Sequence, residues 1–148
     1  MKPVFLQEMM GSYRDEALVW VDADGEIVRY PEIFQKIRAH VAFRIHPRSQ
    51  WEAWGRAYTG TLFLAPLSAT RLLVDRWVEE QRRDPNEIDQ KTFDRALESS
   101  RTVVRELILP KEYCCKFDEE GSDRAVIRHW QASRRLRALA DAPSRLRG

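Results

Sequence analysis

The order of apolar and polar positions divides the chain into short strands and amphipathic helices. Apolar runs of strand length, each closed by polar or turn residues, predict strands over 17–21, 40–45, 58–65, 103–109 and 125–129. Helical spacing of apolar residues predicts helices over 3–11, 68–83, 88–99 and 131–140, with Ser68 as an N-cap and a short helical turn after Pro31.

The most informative stretch is 18–25, in which an apolar run ends at Asp22 and Asp24. A continuous apolar run favours a strand buried on both faces, and open α/β sheets bind ligands beyond the carboxyl ends of their strands. Two carboxylates this close repel each other unless a cation lies between them, and Mg²⁺ and Mn²⁺ prefer oxygen ligands. A β-hairpin turn at Asp24-Gly25 is an equally good interpretation of these residues alone.

Composition places the chain among globular proteins and excludes some classes. It has 148 residues with 43% hydrophobic and 32% charged residues, which suits one domain. The adjacent pair Cys114-Cys115 favours reduced thiols and a cytoplasmic protein. No apolar run approaches the roughly 18 residues that span a bilayer, so we expect no membrane partner.

The net charge of +2 is unevenly distributed, because arginines cluster towards the end of the chain. Against Asp141 alone stand Arg124, Arg128, Arg134, Arg135, Arg137, Arg145 and Arg147. Such a cluster is either a solvated helix face or a phosphate-binding surface. Nucleic-acid binding is the least favoured hypothesis, since only this charge and nearby tryptophans support it. We expect residues 141–148 to form a flexible tail.

Six short motifs occur in an informative order along the chain. They are Lys-Pro-Val-Phe at 2–5, Trp-Val-Asp-Ala-Asp at 20–24, Thr-Gly-Thr-Leu-Phe-Leu at 59–64, Asp-Gln at 89–90, Leu-Pro-Lys-Glu-Tyr at 109–113 and Ile-Arg-His-Trp-Gln-Ala-Ser-Arg at 127–134. Together they resemble the nucleotide-diphospho-sugar transferases, which are glycosyltransferases of the GT-A type. The resemblance implies an α/β fold with a mixed, mainly parallel sheet flanked by helices, here a single truncated GT-A domain over 1–140.

The same resemblance assigns residues to a donor site. The implied ligands of Mn²⁺, or of Mg²⁺, are Asp22, Asp24 and His129. The implied catalytic residues beside the anomeric carbon are Asp89 and Gln90. The implied contacts to the donor sugar and its diphosphate are Thr59, Gly60, Arg134 and Arg135. Without the resemblance, His129 would be an ordinary strand-end histidine and Asp89 an ordinary acidic residue of a first helical turn.

The chain departs from the family at its beginning. In the family a nucleotide-binding half precedes the strand that ends at the metal-binding aspartates, whereas here that strand already begins at Leu18. We therefore expect a fragment, a short protein that works with a partner chain, or an inactive remnant. The missing strands would leave a sheet edge exposed, which favours a homo-oligomer or a covering partner. The expected function is metal-dependent sugar transfer from a nucleotide-diphosphate-sugar donor to an unknown acceptor. The alternative is a non-catalytic binding or assembly module that kept the glycosyltransferase fold.

Overall fold

The computed structural model describes residues 1–131, which form two small sheets and four helices. The helices are α1 (Lys2–Ser12), α2 (Trp51–Trp54), α3 (Ser68–Arg83) and α4 (Asp89–Ser99). The strands are β1 (Leu18–Val21), β2 (Gly25–Ile27), β3 (Val41–Ile45), β4 (Ala57–Leu64), β5 (Glu106–Ile108), β6 (Cys115–Lys116) and β7 (Ile127–His129). The helix expected over 131–140, the tail over 141–148, and Arg134 and Arg135 lie outside the described residues.

The larger sheet has the strand order β1-β4-β3-β5. Strand β4 runs antiparallel to both β1 and β3, whereas β3 and β5 are parallel. The fold is therefore α/β with mixed sheets and flanking helices, and the expectation of a mainly parallel sheet is wrong. Parallel neighbours need a long crossover, usually a helix, but the connection from β3 to β4 contains only single-turn helices.

The smaller sheet has the order β2-β7-β6 and explains the turn after Asp22. Strand β1 pairs with β4 and β2 pairs with β7, so the two strands do not form the alternative hairpin. Instead, the Gly25 amide donates to Asp22 O at 2.7 Å and redirects the chain from one sheet to the other. Strands β2 and β6 were not predicted, since runs of two or three residues show no periodicity.

Strand β1 differs from its prediction in burial. Leu18 and Trp20 pack against the core, but Val19 on the opposite face is 43% exposed. The strand is thus not buried on both faces. Within residues 1–131 its ladder partner is β4 alone, so β1 is an edge strand of the described fold.

The main core fills the space between the larger sheet and helices α1, α3 and α4. Trp77 of α3, Phe93 of α4 and Phe43 of β3 are fully buried, with edge-to-face ring contacts at 4.8 and 5.5 Å. The Trp77 indole donates to Thr92 Oγ1 and to Asp89 O, which fixes the first turn of α4 against α3. Packing therefore determines where Asp89 lies.

Two helix ends bear on the site and on the predictions. Helix α3 begins at Ser68 after Leu67, with no side-chain cap hydrogen bond, so Ser68 is its first residue and not the predicted N-cap. Helix α1 buries Leu6 and Met10 in the core, which places Lys2 beside the carboxyl end of β1.

No helix within residues 1–131 has the length and apolar character needed to cross a membrane.

Candidate functional site

A cleft lies where the carboxyl ends of β1 and β3 meet the first half of β4. Along β4, the register with β3 shifts, so that Phe43 faces Leu62 while the next residue, Arg44, faces Tyr58. The residues between, 59–61, therefore bulge away from β3. Bulges of this kind often lie beside active sites because they redirect side chains.

A lysine ammonium lies at the centre of the charged part of the cleft. Lys2 Nζ is 2.8 Å from Asp22 Oδ1 and 2.7 Å from Asp89 Oδ2, and it donates to Thr59 O at 3.1 Å. Thr59 Oγ1 also donates to Asp89 Oδ2, and the Trp20 indole donates to Asp22 Oδ1. The structure thus joins Asp22, Asp89 and Thr59 through Lys2, whose role the Lys-Pro motif alone did not indicate.

His129 occupies the other side of Asp22. Its Nδ1 lies 3.5 Å from Asp24 Oδ1, and its Nε2 lies 2.9 Å from Thr61 Oγ1. Burial lowers the pKa of His129, and this effect outweighs the opposite influence of Asp24 and Asp22. The imidazole is therefore neutral at pH 7, which is the form that binds metals.

The glycine at position 60 is favoured by a close approach. A β-carbon there would lie 3.2 Å from His129 Cε1 and 3.5 Å from Asp22 Oδ2. The absence of a side chain lets the imidazole and the carboxylate come together above β4. The nearest neighbours of this position are therefore protein atoms, and the predicted contact of Gly60 with a sugar stays a prediction.

The chemistry of these groups fits the expected metal ion, although their arrangement is not that of a complete ligand set. Two carboxylates and a neutral imidazole, from Asp22, Asp24 and His129, suit Mn²⁺ better than Mg²⁺. Among residues 1–131, however, no group of three histidine, cysteine, aspartate or glutamate side chains is placed to hold a metal ion. Asp22 Oδ1 is already engaged by Lys2 and Trp20.

A cavity of about 160 Å³ opens beside these residues. Its lining side chains come from both sheets and from the segments around α2 and α4: Asp22, Asp24, His46, Trp54, Tyr58, Gln90, Lys116 and Gln131. Of the predicted site residues, Asp22, Asp24 and Gln90 line it. The other lining residues were missed. His46, Trp54, Tyr58 and Lys116 belong to none of the six motifs, and Gln131 lies inside the last motif without a role assigned to it.

Gln90 and His46 are hydrogen-bonded to each other in the cavity wall. The end of the Gln90 amide that lies 2.6 Å from His46 Nε2 is also 3.2 Å from Trp54 O and Ala57 O. Because these neighbours accept hydrogen bonds, the amide nitrogen belongs at that end. Burial is the main cause that lowers the pKa of His46, and the charges of Lys116 and Arg44 lower it further.

The two cysteines are buried thiols. Cys114 and Cys115 are both buried and reduced. Burial raises the pKa of the Cys114 thiol to about 12, so it remains protonated at neutral pH.

The fold therefore brings together most of the predicted site. Seven of the predicted residues meet at the cleft: Asp22, Asp24, Thr59, Gly60, Asp89, Gln90 and His129. Neither the known family models nor the curated proteins compared with this chain include a match.

Proposed function

We propose that this chain is a glycosyltransferase-like protein that transfers a sugar from a nucleotide-diphosphate-sugar donor in a metal-dependent reaction. The observation that carries the proposal is the convergence of distant polar residues in one cleft. Asp24 and His129 are 105 positions apart in the chain, and their side chains approach to 3.5 Å. Asp22 and Asp89 meet through one ammonium group.

In this proposal the residues that would hold Mn²⁺ are Asp22, Asp24 and His129. Bound Mn²⁺ would neutralise the charge that develops on the leaving diphosphate. Thr61 orients the imidazole through Nε2, which leaves Nδ1 directed to the Asp24 carboxylate. The predicted diphosphate contacts Arg134 and Arg135 follow His129 in the chain and remain part of the proposal.

In this proposal Asp89 and Gln90 are the catalytic residues beside the anomeric carbon of the donor sugar. Lys2 and Thr59 orient the Asp89 carboxylate, so that it does not turn freely beside a bound sugar. Gln90 is held by His46 and by backbone carbonyls at the cavity wall. Such preorganised polar groups stabilise a transition state because they need not reorient during the reaction.

The proposal also includes a partner chain, or a second copy of this chain, that binds along the edge of β1. Within residues 1–131 the backbone of β1 pairs with β4 alone, and Val19 on its outer face is 43% exposed. Phe5 of the neighbouring helix α1 is 48% exposed. Unpaired edges with apolar neighbours are the surfaces on which strands of another chain add. If the donor site is inactive, the same edge supports the alternative of a non-catalytic assembly module.

Calorimetric titration of Mn²⁺, with and without UDP as a nucleoside diphosphate, tests the donor site. The wild type should bind Mn²⁺ more tightly when UDP is present, and Asp24→Asn should abolish this gain. Asp15→Asn is the matched control, since Asp15 is an exposed carboxylate after helix α1. Absence of Mn²⁺ binding in the wild type, with and without UDP, would refute the enzyme proposal. Sedimentation analysis of the same sample would then test the assembly module, which must self-associate or bind a partner.

A further inference from the structure

The carboxylate of Asp22, one of the ligands in the proposed metal site, already has a positively charged neighbour. Lys2 Nζ lies 2.8 Å from Asp22 Oδ1 and 2.7 Å from Asp89 Oδ2, and the Lys2 side chain is 13% exposed. We propose that Lys2 is an internal counter-ion, which occupies Asp22 and lowers the affinity of the site for a divalent cation until an anionic ligand binds. The inference deepens the proposed function, on which it rests, because it concerns when the donor site accepts its metal ion.

Hydrogen bonds hold the ammonium group of Lys2 in this position. An ammonium group has three N–H donors and no acceptor. Besides the two carboxylates, Thr59 O accepts from Lys2 Nζ at 3.1 Å and Thr59 Oγ1 accepts at 3.3 Å. Thr59 Oγ1 in turn donates to Asp89 Oδ2 at 3.1 Å, which fixes the second carboxylate beside the ammonium. The cluster therefore contains enough acceptors for every donor of Lys2.

The packing of helix α1 keeps the lysine beside Asp22. Lys2 is the first residue of α1, and Leu6 of the same helix is buried in the main core. The ammonium also lies 5.5 Å from the centre of the Trp20 ring, whose π-system attracts a cation. Because the helix is fixed by its core contacts, Asp22 is released only when the Lys2 side chain turns away from it.

The charges in this cluster explain the expected effect on a metal ion. Asp22 and Asp89 contribute two negative charges, of which Lys2 neutralises one. A divalent cation bound to Asp22 would be repelled by an ammonium group that contacts the same carboxylate. A bound diphosphate reduces this repulsion, because its negative charge offsets that of the ammonium. Lys2 thus couples metal binding to anion binding, and such a coupling acts equally in both directions.

Calorimetric titration with Mn²⁺ alone tests the counter-ion directly. Lys2→Met removes the charge and keeps the length of the side chain, so it should bind Mn²⁺ about tenfold more tightly than the wild type. Lys2→Arg is the matched control, because it keeps the positive charge and should bind Mn²⁺ as weakly as the wild type. Adding Asp22→Asn to Lys2→Met should remove the gain. If Lys2→Met does not fold, as judged by circular dichroism, Lys2→Gln provides the same comparison.

The addition of UDP separates this inference from the proposed function. UDP should strengthen Mn²⁺ binding less in Lys2→Met than in the wild type, because the repulsion that UDP offsets is absent from the variant. Without UDP, Mn²⁺ binding by Lys2→Met that is equal to or weaker than that of the wild type would refute the counter-ion. UDP-dependent Mn²⁺ binding that survives this result would leave the proposed function standing. Absence of Mn²⁺ binding in the wild type and in every variant, with and without UDP, would overturn both.

Discussion

The ammonium group of Lys2 offers the sharpest test of how the cleft is held together. Replacing Lys2 by methionine keeps the length and apolar part of the side chain but removes the charge between Asp22 and Asp89. Lys2 Nζ contacts both carboxylates at 2.7–2.8 Å and is only 13% exposed as a side chain. The variant therefore leaves two neighbouring carboxylates without their shared cation.

The expected loss follows from burial and hydrogen bonding. A hydrogen bond to a charged group contributes about 1.5–3 kcal/mol, and more is lost when a buried partner is left behind. The Asp22 and Asp89 side chains are 36% and 31% exposed, so water screens part of this loss. We expect Lys2→Met to lower the free energy of unfolding by about 2–3 kcal/mol, which keeps a domain of ordinary stability folded.

Urea denaturation at pH 7, followed by circular dichroism, measures this loss. The matched control is Lys36→Met, because Lys36 and Glu32 form an ion pair at 3.9 Å with exposures of 75% and 69%. Its expected cost is about 0–0.5 kcal/mol. The double variant Lys2→Met with Asp89→Asn should cost less than the sum of the single variants. Equal stability of the Lys2 and Lys36 variants would refute the view that the cleft depends on this ion pair.

Three further perturbations test other features of the structure. Gly60→Ala should weaken Mn²⁺–UDP binding about tenfold in calorimetry, since its β-carbon would lie 3.2 Å from His129 Cε1. The control Gly11→Ala should leave binding unchanged, because a β-carbon at position 11 would have no neighbouring atom within 4 Å. Because burial lowers the pKa of His46, the unfolded chain binds the proton more tightly, so urea stability should fall as the pH decreases below about 6.5. His46→Gln should reduce that pH dependence. An unchanged profile of stability against pH would contradict the conclusion that the lowered pKa of His46 causes it. Phe93→Ala should cost about 3–5 kcal/mol in the same assay, because Phe93 is fully buried between Trp77 and Phe43; a cost below 1 kcal/mol would contradict this packing.

Several elements could be predicted because their signals are local. The apolar stripe of α3 at helical spacing indicated a helix over 68–83, and the structure has α3 at Ser68–Arg83. The strand-type runs likewise indicated β1, β3 and β4 close to their observed bounds. In these segments each residue pattern matches the periodicity of the element it forms, so no distant contact is needed to identify it.

Strand direction and the second sheet required the tertiary structure. A run of apolar residues contains no information on whether its neighbour runs parallel or antiparallel, which is why the position of β4 between β1 and β3 was missed. Strands β2 and β6 are short and acquire their form by pairing with β7. The Asp-Gly turn was compatible with a hairpin because the local sequence does not show that β1 and β2 pair with different strands. In the structure the turn connects two sheets.

In the candidate site, too, some features depend on the local sequence and others on contacts between distant residues. The residue types and the resemblance together identified the candidate groups, namely the carboxylates of Asp22, Asp24 and Asp89 and the imidazole of His129. It is the packed fold that places Lys2 between two of these carboxylates and brings residues far apart in the chain around one cavity. The chemistry of a side chain is set by its own residue type, whereas its neighbours depend on the packing of α1, α4 and the bulged strand β4.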